Sequence, residues 1–269
     1  MPKMKPFDSL VLDTRAAESQ LRDLQRDVDY DTKDFTIDYI IQEFQKGLFY
    51  IPVYLRFLSL LDQEGTTLSA LHGNSRRTKR IDDRVLKILK ANFFLLLYNL
   101  VEASIRDGFR ALYEAMEAER CTVRVLRPEL RQLWIDAAVD RLKPQTSNQD
   151  SYRNLARRLV QEAVDDVAAK LRVDDLRFGG NLDGDRIRRT CSEHGVSVRT
   201  HPRAKGGEKL NLVKLRRNDL AHGGLSFSEC GRDYTLAQLV EMRQETVLFV
   251  RNILTNVERH SKRKAFRSQ

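Results

Sequence analysis

Arg217 and His222 stand five residues apart in KLRRNDLAHGG, Lys214 to Gly224, and this pair has the chemistry to work on a phosphate. The guanidinium is a fixed cation with forked donors, and the imidazole can give or take a proton near neutrality. An offset of five turns the side chains about 140° apart on an ideal helix. They converge only where the last turn is distorted or a second copy of the motif faces the first. The stretch EKLNLVKLRR ahead of them predicts a short amphipathic helix with Leu210, Leu212, Val213 and Leu215 on its apolar stripe. Gly223 and Gly224 stop that helix, because glycine takes the left-handed conformation that ends helices.

The elements that must hold this motif read as helices. Six prolines and 13 glycines in 269 residues leave long helical patterns with few alternating runs. A first helix is expected over 9–30, with Leu10, Ala17, Leu21, Leu24 and Val28 on one stripe, and a second starts at Asp34. IPVYLRFLSLLDQ follows, with Pro52 in its first turn. Residues 63–80 read as an exposed loop ending in a basic cluster. Residues 81–119 form the long central helix, with Val85, Ile88, Leu89, Phe93, Leu96, Leu97, Leu100 and Val101 inward. Asn99 and Glu102 fall within that apolar stretch, and a buried carboxylate needs a partner. Further helices are expected over 128–143 and 152–171, and from an Asp183 or Asp185 cap to Gly195. Thr235 and Gln238 make a T-x-x-Q capping box for the last, over 236–259. LSFSECGRDYT reads as a loop, and SKRKAFRSQ as a frayed basic tail. The domain reading is 1–80 as N-terminal helical appendage and basic loop, 81–260 as helical domain, and 261–269 as tail.

A formal net charge of +9, from 47 Lys and Arg against 38 Asp and Glu, favours an anionic partner, nucleic acid first. Three cysteines, Cys121, Cys191 and Cys230, form no disulfide pattern. With no apolar leader and no run near the ~20 residues of a membrane span, the expectation is a cytoplasmic protein without membrane contact. Cys191, His194 and His201 have a spacing a zinc site uses, but a fourth ligand is not evident, so neither metal nor cofactor is implied. Asp165, Asp166, Asp174 and Asp175 read as a solvated face. GGNLDG lacks the strand and glycine spacing of a phosphate loop, and no G-x-S-x-G elbow is present.

RRNDLAHGGLSFSECGRDYTLAQL, YNLVEASIRDGF and GGNLDGDRIRRTCSEHGV together resemble the HEPN-domain ribonucleases of bacterial toxin and defence systems, over roughly residues 84–260. The resemblance implies an all-α, HEPN-like antiparallel helical bundle carrying an extra N-terminal helical segment. It also implies metal-independent RNA cleavage by 2′-hydroxyl attack, leaving a 2′,3′-cyclic phosphate. On that pattern Arg217, Asn218 and His222 are the catalytic set. Glu102 is a supporting acid directed towards it. Lys214, Arg216, Arg232 and Tyr234 are RNA-binding candidates, with the loop 199–209 and Phe227 beside them. The resemblance further implies a homodimer with a composite site, and an antitoxin or sensor protein as partner. Family members modified on a tyrosine two residues after the histidine have no counterpart here, where Gly224 occupies that position. The alternative is a non-catalytic HEPN module that binds RNA or a partner protein.

Overall fold

The computed structural model describes residues 50–72, 75–140, 149–176 and 181–268. All lie in one compact unit, Thr36–Gln269. The helices expected over 9–30 and from Asp34 lie outside the described residues.

Helix α1 (Tyr50–Leu61) buries Ile51, Leu55 and Leu58, and Tyr54 donates to the Leu89 carbonyl oxygen at 2.5 Å. Its other face leaves Tyr50, Val53, Phe57 and Leu60 exposed. The chain then forms an antiparallel hairpin, β1 (Thr67–His72) and β2 (Ser75–Arg80), where the sequence reading expected a loop. Cross-strand pairing supplies the order that local apolar alternation does not.

Helix α2 (Asp83–Ala118) is the axis of the fold, 36 residues and about 54 Å long. Asp82 caps it by accepting from the Arg84 amide at 2.8 Å. Phe93, Phe94, Leu97, Tyr98, Val101, Ile105, Phe109 and Leu112 are buried along it. Val85, Ile88 and Leu96, expected inward, are instead exposed, and so is Asn99. The apolar run is wider than the face its neighbours cover. One window, with mean hydropathy 1.4, does match a membrane span in length and composition, contrary to the sequence expectation. Three other helices nevertheless pack along α2 in the core.

These are α6 (Glu208–Ala221), α7 (Phe227–Arg232) and α8 (Leu236–Lys262). Between α2 and them come α3 (Pro128–Asp140), α4 (Gln149–Val164) and α5 (Gly184–Glu193). Asp183 is the α5 cap, accepting from the Arg186 amide at 2.7 Å. The T-x-x-Q box closes at α8, and a second box, Ser226 with Glu229, starts α7 in the stretch read as a loop. At Gly231 any Cβ would overlap the Lys87 carbonyl oxygen, so α7 crosses α2 with backbone against backbone. Helices α6 and α8 run antiparallel: Gly207, at the start of α6, abuts the Phe249 ring, and Arg216 reaches Tyr234, just ahead of α8.

The tail is not frayed over its described residues. Phe266 is fully buried, its carbonyl oxygen accepts from the Arg127 amide at 3.0 Å, and the Ser268 amide donates to Val125 at 2.8 Å. Lys264 and Arg267 both pair with Glu119, at 2.6 and 3.1 Å. One aromatic in a basic segment anchors it against the end of α2.

Candidate functional site

The motif sits on the last turns of α6, pressed against the middle of α2. Leu210, Val213 and Leu220 are the residues α6 buries, whereas Leu215, expected on the apolar stripe, is exposed. That geometry turns Lys214, Arg217 and Asn218 towards the α2 and α5 side. His222 is the C-cap, its amide bonded to the Asn218 carbonyl oxygen at 3.0 Å, and Gly223 follows at φ 72°. Its imidazole is exposed and makes no hydrogen bond among the described residues.

Arg217 is held on two sides. Its guanidinium carbon lies 4.7 Å from the centroid of the Tyr98 ring, a cation–π contact, and Nη1 donates to Asn218 Oδ1 at 3.0 Å. Asn218 in turn donates through Nδ2 to Asn181 Oδ1 at 3.1 Å. Both ends of the Asn218 amide are thus engaged in fixing the arginine to the segment ahead of α5. Tyr98 is fully buried, and its hydroxyl accepts from the Leu182 amide at 2.9 Å. Burial pushes its phenol up; the Leu182 bond opposes that, the Glu102 charge adds to it, and Arg217 opposes it.

Glu102 is half-buried one turn beyond Tyr98 and pairs with Arg106 at 3.5 Å. Lys214 bonds Asp183 Oδ2 at 2.6 Å. Burial works against the Asp183 charge, but Lys214 and the Arg186 and Asp185 amides outweigh it and hold its carboxyl below the usual range. Arg216 donates from Nε to the Tyr234 hydroxyl at 2.8 Å and from Nη1 to Asp219 at 3.0 Å. The Tyr234 ring packs edge-on to Phe94, with centroids 4.8 Å apart. Arg232 is exposed beside Asp233.

The structure therefore gathers Arg217, Asn218 and Lys214 and leaves His222 open at the rim, while Glu102, one turn from Tyr98, pairs with Arg106. Arg216 and Tyr234 hold each other on another side of α6. Tyr98, Asn181 and Asp183 belong to the cluster and were missed. Tyr98 is one turn from Glu102 in YNLVE, but a tyrosine in so apolar a run reads as core from the sequence.

Cys191 and His194 face the core. Burial pushes the Cys191 thiol up to about 12. His194 lies between the Thr190 carbonyl oxygen and the Tyr113 hydroxyl, both at 2.6 Å, so Nδ1–H donates to Thr190 and Nε2 accepts from Tyr113. His201 instead caps a turn, accepting from the Arg203 amide at 3.1 Å. Among the described residues no three His, Cys, Asp or Glu side chains gather as a metal site would require.

A model of the MAE_28990-like HEPN family matches residues 40–266. The chain belongs to the HEPN family. Comparison with curated proteins and with solved structures gives no match. HEPN domains often carry ribonuclease activity. In this HEPN chain the family match spans α1 and the hairpin as well as the α6 motif.

Proposed function

We propose that the protein is a metal-independent HEPN endoribonuclease acting as a homodimer on RNA in the cytoplasm, as a toxin or phage-defence effector controlled by an antitoxin or sensor protein. The observation that carries the reading is the pairing of a fixed cation with an unencumbered imidazole. Arg217 is aimed by Tyr98 and Asn218, while His222 stands exposed at the end of the same helix.

In the reaction, the substrate 2′-oxygen bonds to the adjacent phosphorus as its proton leaves to a base. The bond to the 5′-oxygen then breaks, giving a 2′,3′-cyclic phosphate and a 5′-hydroxyl. Arg217 neutralises the growing charge on the phosphorane oxygens through forked hydrogen bonds. His222 protonates the leaving 5′-oxygen. In a composite cleft Arg217 of one copy faces His222 of the other, which removes the angular difficulty of one motif acting alone, and solvent water takes the 2′-hydroxyl proton. Asn218 is a positioning residue, since both ends of its amide are already used.

The test is incubation of purified protein with total and transfer RNA in EDTA, wild type beside His222→Ala and Arg217→Ala. Wild type should cut and leave 2′,3′-cyclic ends. His222→Ala should lose at least ~10²-fold in rate with RNA affinity little changed. No cutting, or equal cutting by the variants, would overturn the nuclease reading and leave a module that only binds.

A further inference from the structure

A concentrated positive feature outside the motif is the hairpin, with Arg76, Arg77, Lys79 and Arg80 within five residues. In an antiparallel pair directly opposed residues share a face, and the register sets Thr67 against Arg80, Leu68 against Lys79, and Ser69 against Thr78. One face therefore carries Thr67, Ser69, Thr78, Arg76 and Arg80; the other carries Leu68, Arg77 and Lys79. On the first face Ser69 and Thr78 share a hydrogen bond at 3.0 Å, and Arg76 Nε donates to Ser69 Oγ at 3.2 Å. Residues 76–80 are all exposed. Neither strand contains an acid, and Arg77, Lys79 and Arg80 make no ion pair among the described residues.

Edge strands often carry charge as protection against pairing with other chains. That explains cations, but equally on either face. It does not account for three hydroxyls, Thr67, Ser69 and Thr78, beside Arg76 and Arg80, where the register leaves one, Ser75, to the other face. Arginine with serine and threonine hydroxyls is the chemistry of phosphate contacts. Arg76 and Arg80 lie about 14 Å apart along the strand, a span that reaches more than one phosphate. Arg80 is also two residues from the Asp82 cap of α2. The hairpin is thus tied to the end of α2 that α7 crosses just after the motif, about 22 Å along the helix from Tyr98.

We infer that the hydroxyl-rich face of this hairpin is a second RNA contact, gripping the phosphate backbone without reading sequence. The inference rests on the protein binding RNA. It is tested in a His222→Ala background, so that the RNA stays whole, with labelled transfer RNA titrated by fluorescence anisotropy over a salt series. Two double variants remove equal charge: Arg76→Ser with Arg80→Ser, and Arg77→Ser with Lys79→Ser. Thermal unfolding confirms that both fold like the parent.

The first pair should lower the slope of log K against log salt by about 1.4–1.8, two lost phosphate contacts at about 0.7 (single strand) to about 0.9 (duplex) each, and the second pair by clearly less. Equal effects would show a general charge contribution, and no effect from the first pair would show no contact; either overturns the grip. If wild type cuts RNA and the two pairs do not differ, the nuclease reading stands and the hairpin proposal falls alone. A folded parent that binds no transfer RNA overturns both.

Discussion

Tyr98 is the residue on which the geometry of the motif turns. It meets Arg217 with its ring and Leu182 with its hydroxyl. Tyr98→Phe keeps the ring and strands a buried amide, so it should cost about 1–3 kcal/mol, read from urea unfolding. A loss of cleavage much larger than the loss of stability would show that the hydroxyl also governs how Arg217 is aimed. His194 gives a prediction in pH. Burial, helped by the charge of His260 and resisted by the Thr190 bond, lowers it from its ordinary 6.5 to about 4. Between those values the unfolded chain binds the proton and the folded one does not, so stability is fully present above 6.5 and falls towards about 4. His194 alone accounts for about 3 kcal/mol of that fall, and His260 is shifted in the same direction. A urea midpoint that stays flat across this window would refute it. Arg217 and His222 were readable in sequence because the motif is local. Tyr98 was not, because a tyrosine inside FFLLLYNL looks like core, and what distinguishes it arrives from Leu182 and Arg217, far along the chain.

At the scale of elements, caps carried most of the sequence signal. Asp183, Thr235 and Gln238 announced their helices, and the ends of α2 and α8 followed from apolar periodicity. Ser226 and Glu229 carry the same signal, yet a helix of six residues shows no periodicity to join it to. The hairpin escaped for a related reason: its strands lack apolar alternation, although Gly73-Asn74, between them in sequence, is a hairpin turn signal. The docked tail escaped because its basic residues outnumber the single aromatic that anchors it. Phe266→Ala should cost about 3–5 kcal/mol, measurable as a drop in Tm. Two glycines test the crossings. Gly231→Ala meets main chain at Lys87 and should cost about 3 kcal/mol, near the upper end of overpacking costs. Gly108→Ala meets only the end of Leu254, 2.7 Å away, and should cost less, about 1 kcal/mol, because that side chain can move.

For the whole molecule, the proposed shared cleft has a direct assay. Arg217→Ala and His222→Ala protomers, each inactive alone, should regain partial cleavage when unfolded together and refolded as a mixture, since one mixed cleft still holds an arginine and a histidine. Mixtures as inactive as the separate variants would confine each site to a single chain. Gly231 carries a consequence on the time scale of descent. A side chain of any kind there collides with the backbone of α2, so no neutral replacement is open to it. His222 is exposed and has no packing role, so a lineage that gave up cleavage could change it freely. Among diverging relatives, then, the glycine should outlast the histidine, and it would mark the ancestry of chains whose chemistry has been erased.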